Sequence, residues 1–263
     1  MSEPSHPFLS ALHRYSRIGA ARRRAAIEAP AQAQTDSVHS LPAGAVLRYL
    51  PVVGLIVALC QVLVYGLTSL LLPHAVAVLL TLAAGLLLTA AIHERGAARW
   101  WERASDAAQS LQHRLAAGTV GLIVVLLARF ETLASLDESW LAATLVCAAS
   151  ASRGLAVLGV AGRTTDSTAA PISRTDGIVA LLLGIAPAIA LAAWTGDASA
   201  VLAGLGCAVL TLAVMRGISR HYPGAGSETL SVMQQVTEVA WLIGMLAVLG
   251  MTAADLNLED GDS

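Results

Sequence analysis

Seven runs of apolar residues, each long enough to cross a lipid bilayer as a helix, follow one another with only short polar intervals between them. A hydrocarbon core about 30 Å thick takes roughly 20 helical residues, since each rises about 1.5 Å. The runs are Tyr49 to Leu72, His74 to Ile92, Leu115 to Leu136, Trp140 to Ala161, Gly177 to Trp194, Ala198 to Met215 and Val236 to Ala253. They predict an all-α, polytopic integral membrane bundle of about seven transmembrane helices. Pro73 makes the first boundary tight, and Pro187 interrupts the fifth run, so a kinked or re-entrant helix is open at either place. Ahead of the first run, Pro7 to Ile27 sets Phe8, Leu12, Tyr15 and Ile18 on one helical face among arginines, the pattern of an interfacial helix. The Ala, Gln, Ser and Pro of Glu28 to Pro42 form a linker. Three parts result: residues 1–45 as an N-terminal interfacial segment and linker, 46–254 as the membrane domain with polar loops at 93–114 and 216–235, and 255–263 as an acidic tail.

Composition agrees with a lipid environment: apolar residues make up 56%, charged residues 13%, and the mean hydropathy is +0.68. A soluble domain of this length would need a far more charged surface to stay dispersed. The net charge of -2 names no partner, and no nucleic-acid partner is expected; the placement of charge is what informs. Arginines ahead of Tyr49 to Leu72, and those after the second, fourth and sixth runs, fall on one side of the bilayer. Asp137, Glu138 and Asp197 fall on the other. Short arginine-rich loops stay in the cytoplasm, so the N-terminus is expected there. Met1 is followed by polar residues and arginines, so no removable signal peptide is expected, and the first span serves as its own insertion signal. Cys60, Cys147 and Cys207 lie in separate apolar runs without metal-binding spacing and read as buried spectators.

Arg129, Glu131, Arg153 and Glu238 lie inside predicted spans, where an uncompensated charge costs several kcal/mol, so each marks an interior contact or a lumen. The densest set of ionisable groups is the segment from His93, HERGAARWWERASDAAQSLQHR. Written as a helix, it places Arg95, Arg99, Glu102 and Asp106 on one face, and Trp100 and Trp101 suit a headgroup region. A surface helix laced by arginine–glutamate pairs would look the same.

Over nearly its whole length the chain resembles the cobalamin synthase family, also called adenosylcobinamide-GDP ribazoletransferase. Phe8-Leu9, Ala11-Leu12 and Arg17-Ile18 match the family's opening segment, and Tyr49-Leu50-Pro51-Val52-Val53-Gly54 stands where its first span begins Tyr-Phe-Pro-Leu-Val-Gly. The family signature Thr-Gly-Ala-x-His-x-Asp-Gly-x-x-Asp-x-x-Asp is met by Thr89, Ala91, His93 and Gly96, with Arg95, Arg99 and Glu102 in place of its aspartates. Gly118 and Gly121 match its next motif, with Arg114 as that motif's displaced arginine, and Ser152-Arg153, Pro171 and Arg174 match later ones. The last motif falls on Pro223 to Glu238, where Gly224, Leu230 and Glu238 match and Glu228 replaces an aspartate.

The resemblance implies a bacterial inner-membrane enzyme that joins adenosylcobinamide-GDP to α-ribazole, or its 5'-phosphate, with release of GMP. It implies Mg²⁺ as cofactor, held by carboxylates and shared with phosphates. On this chain that gives His93, Glu102 and Glu228 as catalytic candidates and Glu102, Asp106 and Glu228 as metal ligands. Arg95, Arg99, Arg114, Ser152 and Arg153 are the substrate-binding candidates. An arginine cannot ligate a metal, but it grips phosphate in a two-pronged fashion, so a relative that binds a phosphorylated ligand without turnover is the alternative. A small transporter is a second, supported only by the number of spans and the buried charges. Gly118-x-x-Gly121 and Ala149-Ser150-Ala151-Ser152 permit close helix packing within the chain or between copies in a homo-oligomer.

Overall fold

The computed structural model describes residues 6–17, 43–105, 110–163, 171–221 and 226–259, and every regular element among them is helical. Two short helices, α1 (Pro7–Tyr15) and α2 (Ala43–Leu47), precede α3 (Leu50–Thr68). There follow α4 (His74–Thr89), α5 (Ile92–Ala104), α6 (Leu111–Ala134), α7 (Glu138–Gly159), α8 (Arg174–Thr195), α9 (Ser199–Ile218) and α10 (Gly226–Glu259). Six of the described helices are long and apolar enough to span a membrane, and the bent pair α4 and α5 supplies a seventh candidate. The all-helical membrane bundle read from the apolar runs is therefore the observed fold. The second half of the expected interfacial helix, from Ile18, and the linker to Pro42 lie outside the described residues.

Local chemistry sets the ends of these helices. Pro51 sits in the first turn of α3, where a missing N–H costs nothing. The Ser173 hydroxyl accepts the Asp176 N–H at 3.0 Å to cap α8, which stops at Gly196 in a left-handed conformation (φ 71°). Asp137 caps α7 by accepting the Ser139 N–H at 2.8 Å, and its bonds from Ser139 hold this exposed carboxyl below the usual carboxylate range. Pro187 leaves α8 unbroken across its whole length.

The hub is α7, the most buried of the spans, which packs against α3, α8, α9 and α10. Its small side chains allow this. Gly154 meets the backbone of Ala180 and Leu181, and Gly184 meets that of Ser150 and Gly154, so any side chain at either glycine would force α7 and α8 apart. The outward faces carry Leu63, Leu71, Leu79, Leu127, Ile189 and Leu210, as lipid contact requires.

The two ends of the bundle differ in charge. One is tied by the Tyr65 hydroxyl to His74 Nδ1 (2.8 Å) and by His74 to Glu138 (3.6 Å). At the other, Arg216 donates to the Leu158 carbonyl (3.0 Å) and Arg163 to the Ser219 carbonyl (2.6 Å). The arginines of the described interhelical segments belong to this second end.

Two boundaries differ from the sequence pattern. The second span stops at Thr89 instead of Ile92, leaving a helix of 16 residues, about 24 Å long. The seventh begins at Gly226 instead of Val236, so most of the expected 216–235 loop is helix. Thr229, Ser231, Gln234 and Gln235 lower the hydropathy there, yet all are buried against protein and not exposed to water. The backbone of α10 continues to Glu259, so the expected tail from Asp255 begins inside a helix.

Candidate functional site

Ala90 and Ala91, joining α4 to α5, both adopt left-handed backbone conformations (φ 53° and 51°), and the chain turns through 86° there. Such conformations cost about 1–3 kcal/mol apiece for residues with a Cβ and persist only where the surroundings enforce them. The enforcing contacts are on His93 and Glu94, in the first turn of α5. His93 is 2% exposed with its ring stacked on Tyr15 at 5.8 Å between centroids, and Glu94 is buried among α6 and α10.

Around Glu94 lies a polar cluster within the bundle. Arg129 of α6 pairs with Glu238 of α10 at 2.6 Å and stands 3.6 Å from Glu94. Gln235 links the two, donating to Glu94 at 2.8 Å and accepting from Arg129 at 3.3 Å, while Gln234 donates to Glu238 at 2.9 Å. Arg153 reaches in from α7, bonded to its own Ala149 carbonyl at 2.6 Å. Glu94, Arg129, Arg153, Gln234 and Glu238, with Gln61 and Thr89, line a cavity of about 20 Å³, room for one water-sized group. Glu94 Oε2, Gln234 Oε1 and Arg129 Nε have no hydrogen-bond partner among the described residues.

From this cluster α5 runs back between α6 and the first turns of α10. Gly96 meets Ser231, Ala97 and Trp100 pack on Val232, and Gly118 and Gly121 of α6 receive Glu102 and Trp101. A side chain at 96, 118 or 121 would occupy space these residues already fill. The packing brings the far end of α5 beside the start of α10, where Arg103 stands 2.8 Å from Glu228, held by charge and proximity without an aligned hydrogen bond. Arg99 and Glu102 also act electrostatically on Glu228, and Arg114 donates its Nε to the Glu102 carbonyl at 3.2 Å. These five side chains form a charged mouth.

The residues singled out from sequence therefore divide. Glu102, Glu228, Arg99 and Arg114 gather at the mouth, and Arg95 is exposed one turn before Arg99 on α5. His93 is nine residues from Glu102, about 13 Å along the helix, and belongs with the inner cluster. Ser152 and Arg153 also lie inside, fully and 94% shielded, and the Ser152 hydroxyl has no partner among the described residues. Asp106 lies outside the described residues.

Five further residues of these two clusters, Glu94, Gln61, Gln234, Gln235 and Arg103, are not among the candidates that the sequence singles out. A signal existed: Ser231, Gln235 and Glu238 recur at helical spacing, and Gln61 is an isolated amide in an apolar run.

A divalent cation at the mouth would need a set of oxygen ligands. Among the described residues no three Asp, Glu, His or Cys side chains are grouped as ligands. Of the two carboxylates present, Glu228 already faces Arg103, and Arg99 and Arg114 stand beside them. Mg²⁺ demands hard oxygen donors and an anionic surrounding, so the described residues do not fit it.

The sequence pattern of the family described as cobalamin-5-phosphate synthase matches residues 7–109, a stretch that includes α5 and its strained entry. An adenosylcobinamide-GDP ribazoletransferase of Shewanella amazonensis is 31% identical over 219 residues, covering 76% of this chain and 84% of the relative. The same enzyme of Shewanella oneidensis is 30% identical over 223 residues, covering 78% and 84%. The chain belongs to the cobalamin synthase family. A third relative of the same name, from Shewanella baltica strain OS185, is 29% identical over 220 residues. No solved structure matches. Membership places the chain among membrane transferases of cobalamin biosynthesis.

Proposed function

We propose that the chain joins an adenosylcobinamide-GDP-like nucleotide to α-ribazole, or its 5'-phosphate, with release of GMP. The observation that carries this reading is the meeting of α5 with the start of α10, which sets arginines and two carboxylates at one end of a membrane bundle. In the proposed step a ribazole hydroxyl oxygen attacks the phosphorus attached to cobinamide, and the bond from that phosphorus to GMP breaks. The hydroxyl proton passes to the Glu102 carboxylate, the less buried of the two acids. Guanidinium groups of Arg99, Arg103 and Arg114 hold the non-bridging oxygens and the departing phosphate. Glu228 orients Arg103. His93, walled in behind Tyr15, lies too far along α5 to take that proton, and it serves to seat the α4–α5 turn.

Purified in detergent and supplied with adenosylcobinamide-GDP and α-ribazole, the protein is expected to release GMP, and Glu102→Gln to reduce that release at least tenfold. Release no greater than from a boiled sample would reject the reaction. A family member that binds without turnover would then be the surviving reading.

The arginine-bearing end is proposed to face the cytoplasm of a bacterial inner membrane, because short loops rich in arginine are retained there. A cysteine introduced at His221 should react with an impermeant maleimide only after cells are opened, and one at Ser139 in intact cells. The reverse pattern would invert the topology.

A further inference from the structure

Arg95, Arg99 and Arg103 succeed one another at intervals of four on the exposed side of α5, opposite the face formed by His93, Ala97 and Trp100. Neighbours at this spacing stand about 5–6 Å apart at Cβ, close enough for one diphosphate to touch two of them. Arg95 and Arg99 have no ion pair among the described residues, and Arg103 is half exposed with its 2.8 Å contact to Glu228 lacking an aligned hydrogen bond. Among the described residues, Arg114 uses only its Nε, on the Glu102 carbonyl. Donors therefore remain on each of the four.

The charges decide what such a surface accepts. Among the described residues, the three guanidinium groups of the mouth and Arg95, one turn along α5, stand against two carboxylates, Glu102 and Glu228, a surplus of two positive charges. A pyrophosphate diester carries one negative charge on each phosphate and matches that surplus. A divalent cation would meet it with the wrong sign, and its only described oxygen donors are already engaged or flanked by arginine. From this we infer that the mouth binds a nucleoside diphosphate group through guanidinium alone, with no divalent cation between protein and phosphate. The inference rests on the reading of the mouth as a phosphate site and specifies how that site neutralises charge. Glu228 acts in it as a positioning residue that holds Arg103 toward the oxygens.

The test is equilibrium binding of GDP to the full-length protein in detergent, measured by calorimetry in EDTA and again in excess Mg²⁺. The expected result is binding in EDTA as tight as in Mg²⁺ or tighter, weakened about tenfold or more by Arg99→Gln, since one charge-assisted contact contributes that much. Arg99 is exposed, so this substitution leaves the fold intact, which an unchanged melting temperature verifies. Arg99→Lys, which keeps charge but loses the fork, is expected to fall between.

Binding that appears only with Mg²⁺ would overturn the metal-free site while upholding the mouth as a phosphate site. Binding in EDTA that Arg99→Gln and Arg103→Gln both leave unchanged would overturn the location. Absence of binding under either condition would overturn both the inference and the reading beneath it.

Discussion

Replacing Arg129 with methionine is expected to destabilise the bundle by about 3–5 kcal/mol, the usual cost of removing one partner from a buried ion pair. The guanidinium stands 2.6 Å from Glu238 and 3.6 Å from Glu94, and both acids are more than nine-tenths buried. Without it, Arg153 is the remaining cation among the residues lining the cavity, and it is already bonded to its own helix. Two carboxylates would then share one counter-charge in a cavity with room for a single water-sized group, too little to solvate both. The effect should be read as a lower melting temperature in detergent and as earlier proteolysis near the α4–α5 turn, because Glu94 fastens the entry to α5. A companion variant decides the cause. Arg129→Met combined with Glu238→Leu removes charge of both signs and should recover part of the loss, since the desolvation of both groups vanishes as well. A melting temperature for Arg129→Met equal to the parent's would show that the pair contributes nothing to stability.

Arg103→Ala is expected to lower GMP release about a hundredfold or more, the effect of removing one fixed donor from a site where negative charge develops. Among the described residues, Arg103 is the mouth arginine with a direct ion pair to a carboxylate of α10. Its loss removes a positive group and at the same time frees Glu228 to repel phosphate. Glu228→Gln should therefore be much milder than Arg103→Ala, and Arg103→Ala with Glu228→Gln should recover activity relative to Arg103→Ala alone. If Arg103→Ala and the parent release GMP at equal rates, Arg103 has no part in the transfer. Binding of GDP measured on the same samples separates lost affinity from lost turnover.

Most of the bundle was legible from hydropathy because lipid imposes one rule on every span: the backbone must satisfy itself, and the surface must be apolar. The runs beginning at Tyr49, Trp140, Gly177 and Ala198 correspond closely to α3, α7, α8 and α9. The rule weakens where a helix is covered by protein. Gln234, Gln235 and Thr229 made the start of α10 look like a loop, although α5 shields it. The same cause hid Glu94, which reads as one more surface acid in a charged segment yet is buried against Gln235 and Arg129. The mouth was half legible. Periodicity put Arg95, Arg99 and Glu102 on one face, but it said nothing of Arg103 reaching Glu228 across more than a hundred residues.

By itself, then, the sequence determined the membrane environment, the number of candidate spans, the gathering of loop arginines at one end and, through ordered motifs, the kinship. These follow from properties summed along the chain or shared with relatives position by position. Only the tertiary structure decided which charges meet. Arg129 with Glu238, Glu94 with Gln235, and Arg103 with Glu228 are pairings between helices distant in sequence. They depend on the turn at Ala90 and Ala91 and on glycines at 96, 118 and 121 that let α5 settle between α6 and α10. Short-range electrostatic contacts are fixed by such packing to within a few ångströms, a scale on which no pattern along a single helix carries information.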